Sequence, residues 1–168
     1  MMTNRQKREF ESIVSDIVLN KDFNKLNKDM HHGITRYEHS MRVARHSFMA
    51  CKLFKMKEIN EVTRAALLHD FYSDEELEGI KSNKKLKKHP EKALNNSLKY
   101  FELNDMQKDV ISKHMFPVTL SLPKYKESYL VSLIDKVVGA YEMLRFKAPL
   151  YASIYTFFLM QIFYFKIM

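Results

Sequence analysis

The sequence has one cysteine, three glycines, four prolines and no tryptophan. A lone cysteine, Cys51, cannot form a disulfide within the chain, which argues against a disulfide-stabilised secreted fold. The scarcity of glycine and proline argues against the many tight turns of a β-sandwich or barrel. The N-terminal residues MMTNRQKREF lack the apolar stretch of a secretory signal, so we expect a cytoplasmic protein.

The chain of 168 residues, 46% of them hydrophobic, is long enough for one compact domain with a buried core and too short for two domains to be expected. Lys, Glu, Leu and Met are plentiful, as they are in helices. We therefore predict an all-α fold, a compact bundle of about six to seven helices. The net charge of +8 favours anionic ligands such as phosphates. The lysines are dispersed along the chain, which does not favour nucleic-acid binding.

Helical periodicity and capping residues predict where the helices begin and end. A first helix follows Thr3 and ends near Asn20. A second runs from Arg36 to about Met56, after the N-cap Thr35. Both are amphipathic, so one face of each is expected to be buried.

The second half of the chain is predicted to be helical as well. The lysine-rich residues 81–88 are expected to form a loop or a poor helix. Pro90 suits the first turn of a fourth helix, which places His89 at or next to its N-cap. A capping box of Asn104 and Gln107 opens a fifth helix. A sixth helix follows a loop bounded by two prolines, and one carboxylate interrupts its apolar series.

The stretch LLHDFYSD, residues 67–74, places two ligand-type side chains at the end of an apolar run. Asn60 is expected to cap the third helix, which delivers His69 and Asp70 there. An unpaired charge in such a position is costly, so these side chains need a partner. Further ligand types fall on or at the end of other predicted helices: His39, His89, His114 and Asp135.

Neutral imidazoles and carboxylates together suit iron, manganese, cobalt, nickel or zinc, and a bridging carboxylate can hold two such ions close together. Helical bundles build metal sites from ligands on facing helices. Taken singly, the residues have structural alternatives, since His89 could cap its helix and His114 could interact with a helix C-terminus. The joint pattern favours a metal site.

Five segments contain these residues: YEHSMRVA (37–44), ALLHDFY (66–72), KKHPEKAL (87–94), SKHMFP (112–117) and SLIDKVVGAYE (132–142). Together they resemble the HD superfamily of metal-dependent phosphohydrolases, over residues 30–142. The resemblance implies an HD-type helical fold. It also implies one set of metal ligands: His39, His69, Asp70 and Asp135, joined by His89 and His114 in the two-metal subset of the family.

The resemblance further implies two divalent ions bridged by Asp70, with iron or manganese favoured over cobalt, nickel, zinc or magnesium. The implied reaction is hydrolysis of a phosphoester or phosphoanhydride bond by a metal-activated water. Asp70 and His69 are the implied catalytic residues. The implied substrate is a nucleotide or a related small phosphate. Two other functions remain open: a non-catalytic sensor or scaffold that retains the fold, and a nucleic-acid-binding helical protein.

Two basic residues are predicted to bind the substrate phosphate, Arg42 and Lys136. Arg42 lies three residues after His39 and is therefore its neighbour on one helix face, and arginine can grip phosphate oxygens. Arg36 is a further candidate, although both it and Lys136 could equally be surface charges. The acidic residues 74–78 are expected to form a solvated turn.

We assign residues 1–147 to a single helical domain and residues 148–168 to an apolar C-terminal segment. The stretch from Leu150 to Phe165 carries no charge. This uncharged stretch is shorter than the about 20 apolar residues that span a bilayer. Three interpretations remain open: a terminal helix that is packed on the domain or exchanged with a second subunit in a homodimer, a membrane-associated tail, and an atypical or truncated end.

Overall fold

A computed structural model describes residues 2–31 and 33–145 and confirms the all-α prediction. The helices are α1 (Asn4–Leu19), α2 (Lys21–Asn24), α3 (Arg36–Leu53), α4 (Ile59–Leu68), α5 (Ser82–Tyr100), α6 (Asp105–Lys113) and α7 (126–145). Two 3₁₀ turns, Lys25–Asn27 and Asp74–Leu77, and an antiparallel pair of two-residue strands, β1 (Met30–His31) and β2 (Ile34–Thr35), lie between them. The apolar segment 148–168 and its three interpretations lie outside the described residues.

Helix α4 is the central element, since it packs against α1, α3, α5 and α6. Its buried residues are apolar or small: Val62, Thr63, Ala65, Ala66, Leu67 and Leu68. The two alanines let neighbouring helices approach closely, because their side chains end at Cβ. A helix buried on nearly every side carries the residues at its C-terminal end into the interior. This is how the chain brings His69 and Asp70 to the middle of the bundle.

Capping boxes begin α3 and α6 at the predicted residues. The Thr35 hydroxyl accepts from the backbone N–H of Glu38, and the Glu38 carboxylate accepts from the backbone N–H of Thr35. Asn104 and Gln107 make the same reciprocal pair at the start of α6. Each box satisfies two N–H groups that the first turn of a helix leaves without partners.

The predicted start of α4 is wrong by two residues. The helix begins at Ile59, follows Glu58, and has no side-chain cap, so Asn60 lies inside its first turn. Ile59 is partly buried against the core. Burial of this apolar side chain extends the helix beyond the residue that the capping preference favours.

The lysine-rich stretch was predicted as a loop or a poor helix, and the structure shows that it is helical from Ser82 onward, which excludes the loop. Because α5 runs through it, His89 and Pro90 lie in the helix interior, and neither stands at its N-terminus. Lysine is a good helix former, and the side chains of residues 84–88 are exposed, so water screens their repulsion. Pro90 cannot donate a backbone hydrogen bond, but it is buried, and its packing offsets that loss.

Two buried aromatic contacts order the connection between α1 and α3. Phe23 lies with its ring centroid 5.6 Å from that of Tyr37 on α3 and 5.4 Å from that of Phe71. Phe71 follows Asp70 directly, so the connection braces the segment that carries the ligand pair. Gly33 has a φ of 90°, which favours glycine, and it precedes β2.

Helix α7 packs one face on the bundle, with Val131 and Val138 buried in the core. Other apolar residues predicted for this helix, Leu133, Val137 and Tyr141, are exposed. Within residues 2–31 and 33–145, none of the helices combines the length and the apolar character needed to cross a bilayer.

Candidate metal centre

Six buried side chains from five helices meet in the interior of the bundle. They are His39 on α3, His69 and Asp70 at the end of α4, His89 on α5, His114 at the end of α6 and Asp135 on α7. The structure thus brings together every residue that the sequence analysis predicted as a metal ligand. The most exposed of them, Asp135, retains only 9% of its accessible surface.

Helix ends position two of the histidines. His69 is the C-cap of α4 and His114 is the C-cap of α6, and both keep helical backbone angles. Their Nδ1 atoms lie 2.8 Å from the carbonyl oxygens of Ala66 and Ile111, respectively. Carbonyl groups in the last turn of a helix lack intrahelical partners. Each of these contacts therefore gives one such carbonyl a donor and at the same time orients the histidine ring.

Backbone carbonyls also determine which ring nitrogen carries the hydrogen. The Nδ1 of His89 lies 3.0 Å from the carbonyl oxygen of Lys85. A carbonyl can only accept, so Nδ1 is the donor in His69, His89 and His114 alike. When these rings are neutral, each Nε2 therefore presents a lone pair.

These lone pairs point at one another. The Nε2 atoms of His89 and His114 are 2.9 Å apart. Among the described residues, neither the buried Nε2 of His69 nor the buried Oδ1 of Asp70 has a hydrogen-bond partner. Facing lone pairs repel, and buried acceptors without a donor are costly. A cation among them removes both costs, and imidazole nitrogen with carboxylate oxygen is a donor set that fits a divalent transition metal.

The candidate ligand atoms form two overlapping groups: His39, His69 and Asp135, and His69, Asp70 and His114. Within each group these atoms all lie within 4.8 Å of one another. In the first group, Asp135 Oδ1 is 3.0 Å from His39 Nε2 and 3.5 Å from His69 Nε2. The residues present can therefore hold a metal ion.

Asp70 lies between the two sets of histidines. Its Oδ1 is 3.6 Å from His89 Nε2 and 3.5 Å from His114 Nε2, while its Oδ2 is 3.7 Å from His69 Nε2. Because the two oxygens face different imidazoles, one carboxylate can serve two cation positions. This placement supports the predicted bridging role, which stays a prediction.

The protonation states of four candidate ligands also suit a metal. Burial favours the neutral form of a carboxyl group, but the surrounding histidines outweigh it and hold the pKa of both Asp70 and Asp135 well below the usual range. Burial lowers the pKa of His89, and burial together with His69 lowers that of His114 to about 3. Charged carboxylates and neutral imidazoles are the forms that bind divalent ions.

Glu142 is a buried carboxylate to which the sequence analysis assigned no role. Its Oε2 lies 2.7 Å from Nδ1 of His39, which leaves Nε2 of that ring facing Asp135. A carboxylate that holds the outer nitrogen of a ligating histidine fixes its orientation and raises its basicity. The available signal was the position of Glu142, which is seven residues after Asp135 and hence on the same face of α7.

Arg42 is paired with the same carboxylate. Its Nη1 donates to Glu142 Oε1 over 3.2 Å, and its side chain is partly exposed. Among the described residues, Arg42 is not part of the cavity wall beside the ligands. The binding of a substrate phosphate by Arg42 stays a prediction. In the structure, its guanidinium contacts Glu142 and neutralises the charge of that carboxylate.

Arg36 is fully buried, which excludes the surface-charge interpretation. Its guanidinium stacks 3.9 Å from the ring centroid of Tyr72 and donates to the Tyr72 hydroxyl and to the carboxylate of Asp74. Its Nη1 also lies 3.8 Å from Asp70 Oδ2. A buried cation needs such partners. Asp74 lies in an exposed turn, as expected, and its contact with Arg36 also ties it to the wall of the candidate metal centre.

A cavity of about 470 Å³ opens beside the ligands. One wall is formed by ligand residues and the other is largely apolar, with Leu86, Val118 and Met143 among its residues. Lys136 also lines the cavity, and its ammonium donates to Asp135 Oδ2 and to the backbone carbonyl of His114, both over 2.7 Å. A cationic group therefore stands at the edge of the candidate metal centre.

We expect Glu142→Ala to weaken divalent metal binding by about 10- to 100-fold, because the orienting partner of a ligating histidine is lost. Competition with a fluorescent chelator measures the affinity. Glu91→Ala, which removes an exposed carboxylate from α5, is the matched control and should bind like the wild type. Equal affinities for all three proteins would show that Glu142 does not support the ligand.

Metal binding near neutral pH is expected to release a proton from His39. Burial lowers the pKa of this ring, but its contacts with Asp135 and Glu142 outweigh that effect and raise the pKa to about 9. The ring is therefore protonated in the metal-free protein at pH 7, and a bound metal must displace that proton. The release should disappear as the pH rises through 9.

Calorimetric titrations with Mn²⁺ in buffers of different ionisation enthalpy measure this proton. In Glu142→Gln the release should disappear at a lower pH, because one charge that raises the pKa of His39 is gone. A binding enthalpy at neutral pH that is the same in every buffer would contradict the assignment.

The arrangement of the site can now be set beside known families. A family model for the HD domain matches residues 36–140, which include all six candidate ligands and make up more than half of the chain. No curated protein and no solved structure matches the chain. The family match and the converging histidines and aspartates lead to the same conclusion: the chain belongs to the HD domain family.

Proposed function

We propose that the protein is a metal-dependent phosphohydrolase that cleaves a phosphoester or phosphoanhydride bond of a nucleotide or related small phosphate. One observation carries the proposal: buried imidazole lone pairs and carboxylates converge at the wall of a cavity that is open to a small molecule. Membership of the HD domain family supports it.

The candidate ligands would hold two divalent ions, iron or manganese in the first place, with Asp70 between them. Such ions, when bound, supply an acidified water and neutralise charge on phosphoryl oxygens. Asp70 would accept a hydrogen bond from the attacking water and orient it. His69 presents one lone pair, on Nε2, and would therefore bind one of the two ions.

The cavity supports a substrate with an anionic end and an apolar end. A phosphate beside the ligands would lie next to Lys136, while a flat organic group could pack on the wall that includes Leu86, Val118 and Met143. Pockets for small molecules commonly combine such an apolar lining with a few polar groups that fix orientation. A nucleotide has both parts.

A hydrolysis screen tests the proposal directly. The protein is loaded with Mn²⁺ or Fe²⁺ and incubated with mononucleotides, dinucleoside polyphosphates and cyclic dinucleotides, and products are separated by chromatography. We expect turnover of at least one class, its loss on chelation, and its recovery when the metal is returned. Metal-loaded protein that hydrolyses none of them would contradict the proposal and favour the non-catalytic sensor.

Lys136→Met is expected to raise KM by about tenfold or more, because a charge-assisted contact with the substrate phosphate is lost. Metal content should be unchanged, since the ammonium is not a ligand. Steady-state kinetics with parallel metal analysis measures both. The same measurements on Arg42→Met test the predicted phosphate contact of that residue. An unchanged KM in both variants would place the phosphate elsewhere.

A further inference from the structure

The solvent-facing side of α7 carries a continuous line of apolar side chains. Five of them are between 43% and 71% exposed and follow one another at spacings of four or three residues: Tyr129, Leu133, Val137, Tyr141 and Leu144. Residues at these spacings are neighbours on one helix face. At 1.5 Å per residue the line is about 22 Å long. We refer to these five residues as the α7 stripe.

The α7 stripe itself contains no charged side chain. On the same helix, Asp135 and Glu142 are buried on the opposite face, and Lys136 is engaged with Asp135. Lys126 precedes the stripe and Arg145 follows it. An exposed apolar surface of this extent, bounded by charges, is characteristic of an interaction site.

We propose that the occupant of the α7 stripe is the C-terminal segment of the same chain, residues 148–168, which packs along it in the antiparallel direction. Residues 148–165 carry no charge and are rich in aromatic side chains. A helical segment of about 15 residues matches a stripe 22 Å long. In the sequence, only residues 145–147 separate Leu144, the last residue of the stripe, from this segment.

The tether favours the chain's own segment over other partners. A short connection gives a tethered segment an effective concentration in the millimolar range, far above the micromolar concentration of a second copy in solution. A lipid bilayer would require about 20 apolar residues for a span. The uncharged part of the segment, residues 148–165, is shorter and contains Ser153, Thr156 and Gln161.

Disulfide trapping in the full-length protein tests the occupant. Val137→Cys is combined in turn with Tyr155→Cys, Phe157→Cys and Phe158→Cys, so that several faces of the segment are sampled. The native Cys51 is buried and does not compete. We expect at least one pair to form an intramolecular disulfide at micromolar concentration, seen as a linked peptide from monomeric protein. Leu98→Cys, an exposed position on α5, is the control and should not pair.

Each other outcome overturns the proposal. A disulfide found in a covalent dimer identifies a second copy as the occupant. Pairs that form no disulfide, in protein that binds phosphatidylcholine vesicles through the segment, identify a lipid surface. Pairs that form no disulfide in protein that binds no vesicles show that the segment does not reach the stripe.

A charge placed on the stripe provides an independent readout. Val137→Glu should leave the fold intact, since the side chain faces solvent, but it should expose the aromatic residues of the segment to chymotrypsin and accelerate their cleavage by about tenfold. Lys126→Glu changes the charge of the same helix outside the stripe and should be cleaved like the wild type. Equal cleavage rates for all three proteins would contradict the contact.

Discussion

Asp70→Ala is expected to lower kcat/KM by at least about 10³-fold for the phosphate ester that the protein cleaves, which corresponds to about 4 kcal/mol of transition-state stabilisation. Asp70 is the carboxylate whose two oxygens face different sets of histidines, so its removal takes away a ligand from two cation positions. It also removes the group proposed to orient the water. The measurement is steady-state hydrolysis with parallel metal analysis.

Two controls keep this prediction specific. Asp105→Ala removes an exposed aspartate from the first turn of α6 and should retain full activity. Thermal unfolding with and without chelator shows whether each variant is folded, because a metal that binds only the folded state also raises its stability. A folded Asp70→Ala protein that lacks metal and turns over substrate at the wild-type rate would locate the catalytic centre elsewhere.

The variant His89→Ala/His114→Ala is expected to lose one of two metal ions and to lower kcat by at least about 100-fold. The two rings face each other through Nε2 and flank Asp70 Oδ1, so together they form one side of the candidate metal centre. His39, His69 and Asp135 remain as the other ligand group. Elemental analysis of purified protein gives the metal content.

His46→Ala is the matched control, since this histidine is exposed and its Nδ1 contacts the backbone carbonyl of Arg42. It should keep the wild-type metal content and activity. If His89→Ala/His114→Ala also keeps the wild-type metal content and activity, the protein does not bind a second ion at these two histidines.

Local signals made much of the fold predictable. The N-cap Thr35 and the capping box at Asn104 were readable because the interacting residues lie three positions apart in the chain. The set of six ligands was implied by the resemblance of five sequence segments to the HD superfamily, and elementary energetics agrees with their convergence. Buried histidines and aspartates on apolar helix faces have few stable partners other than one another and a metal.

Other features depend on tertiary contacts that local rules do not contain. Helix α4 begins earlier than predicted because Ile59 packs against the core. Pro90 is tolerated inside α5 because it is buried. Glu142 supports His39 from a distance of more than 100 residues, so only the fold brings the two together. Arg36 could not be distinguished from a surface charge until Tyr72 and Asp74 were seen beside it.

The most direct measurement is anomalous diffraction from crystals of the protein loaded with Mn²⁺. We expect anomalous density about 2 Å from the Nε2 atoms of the converging histidines and from the carboxylates of Asp70 and Asp135. One peak should lie beside His39 and Asp135, and a second beside His89 and His114. Ordered side chains in this region with no anomalous density among them would contradict the metal centre, and the proposed hydrolase function with it.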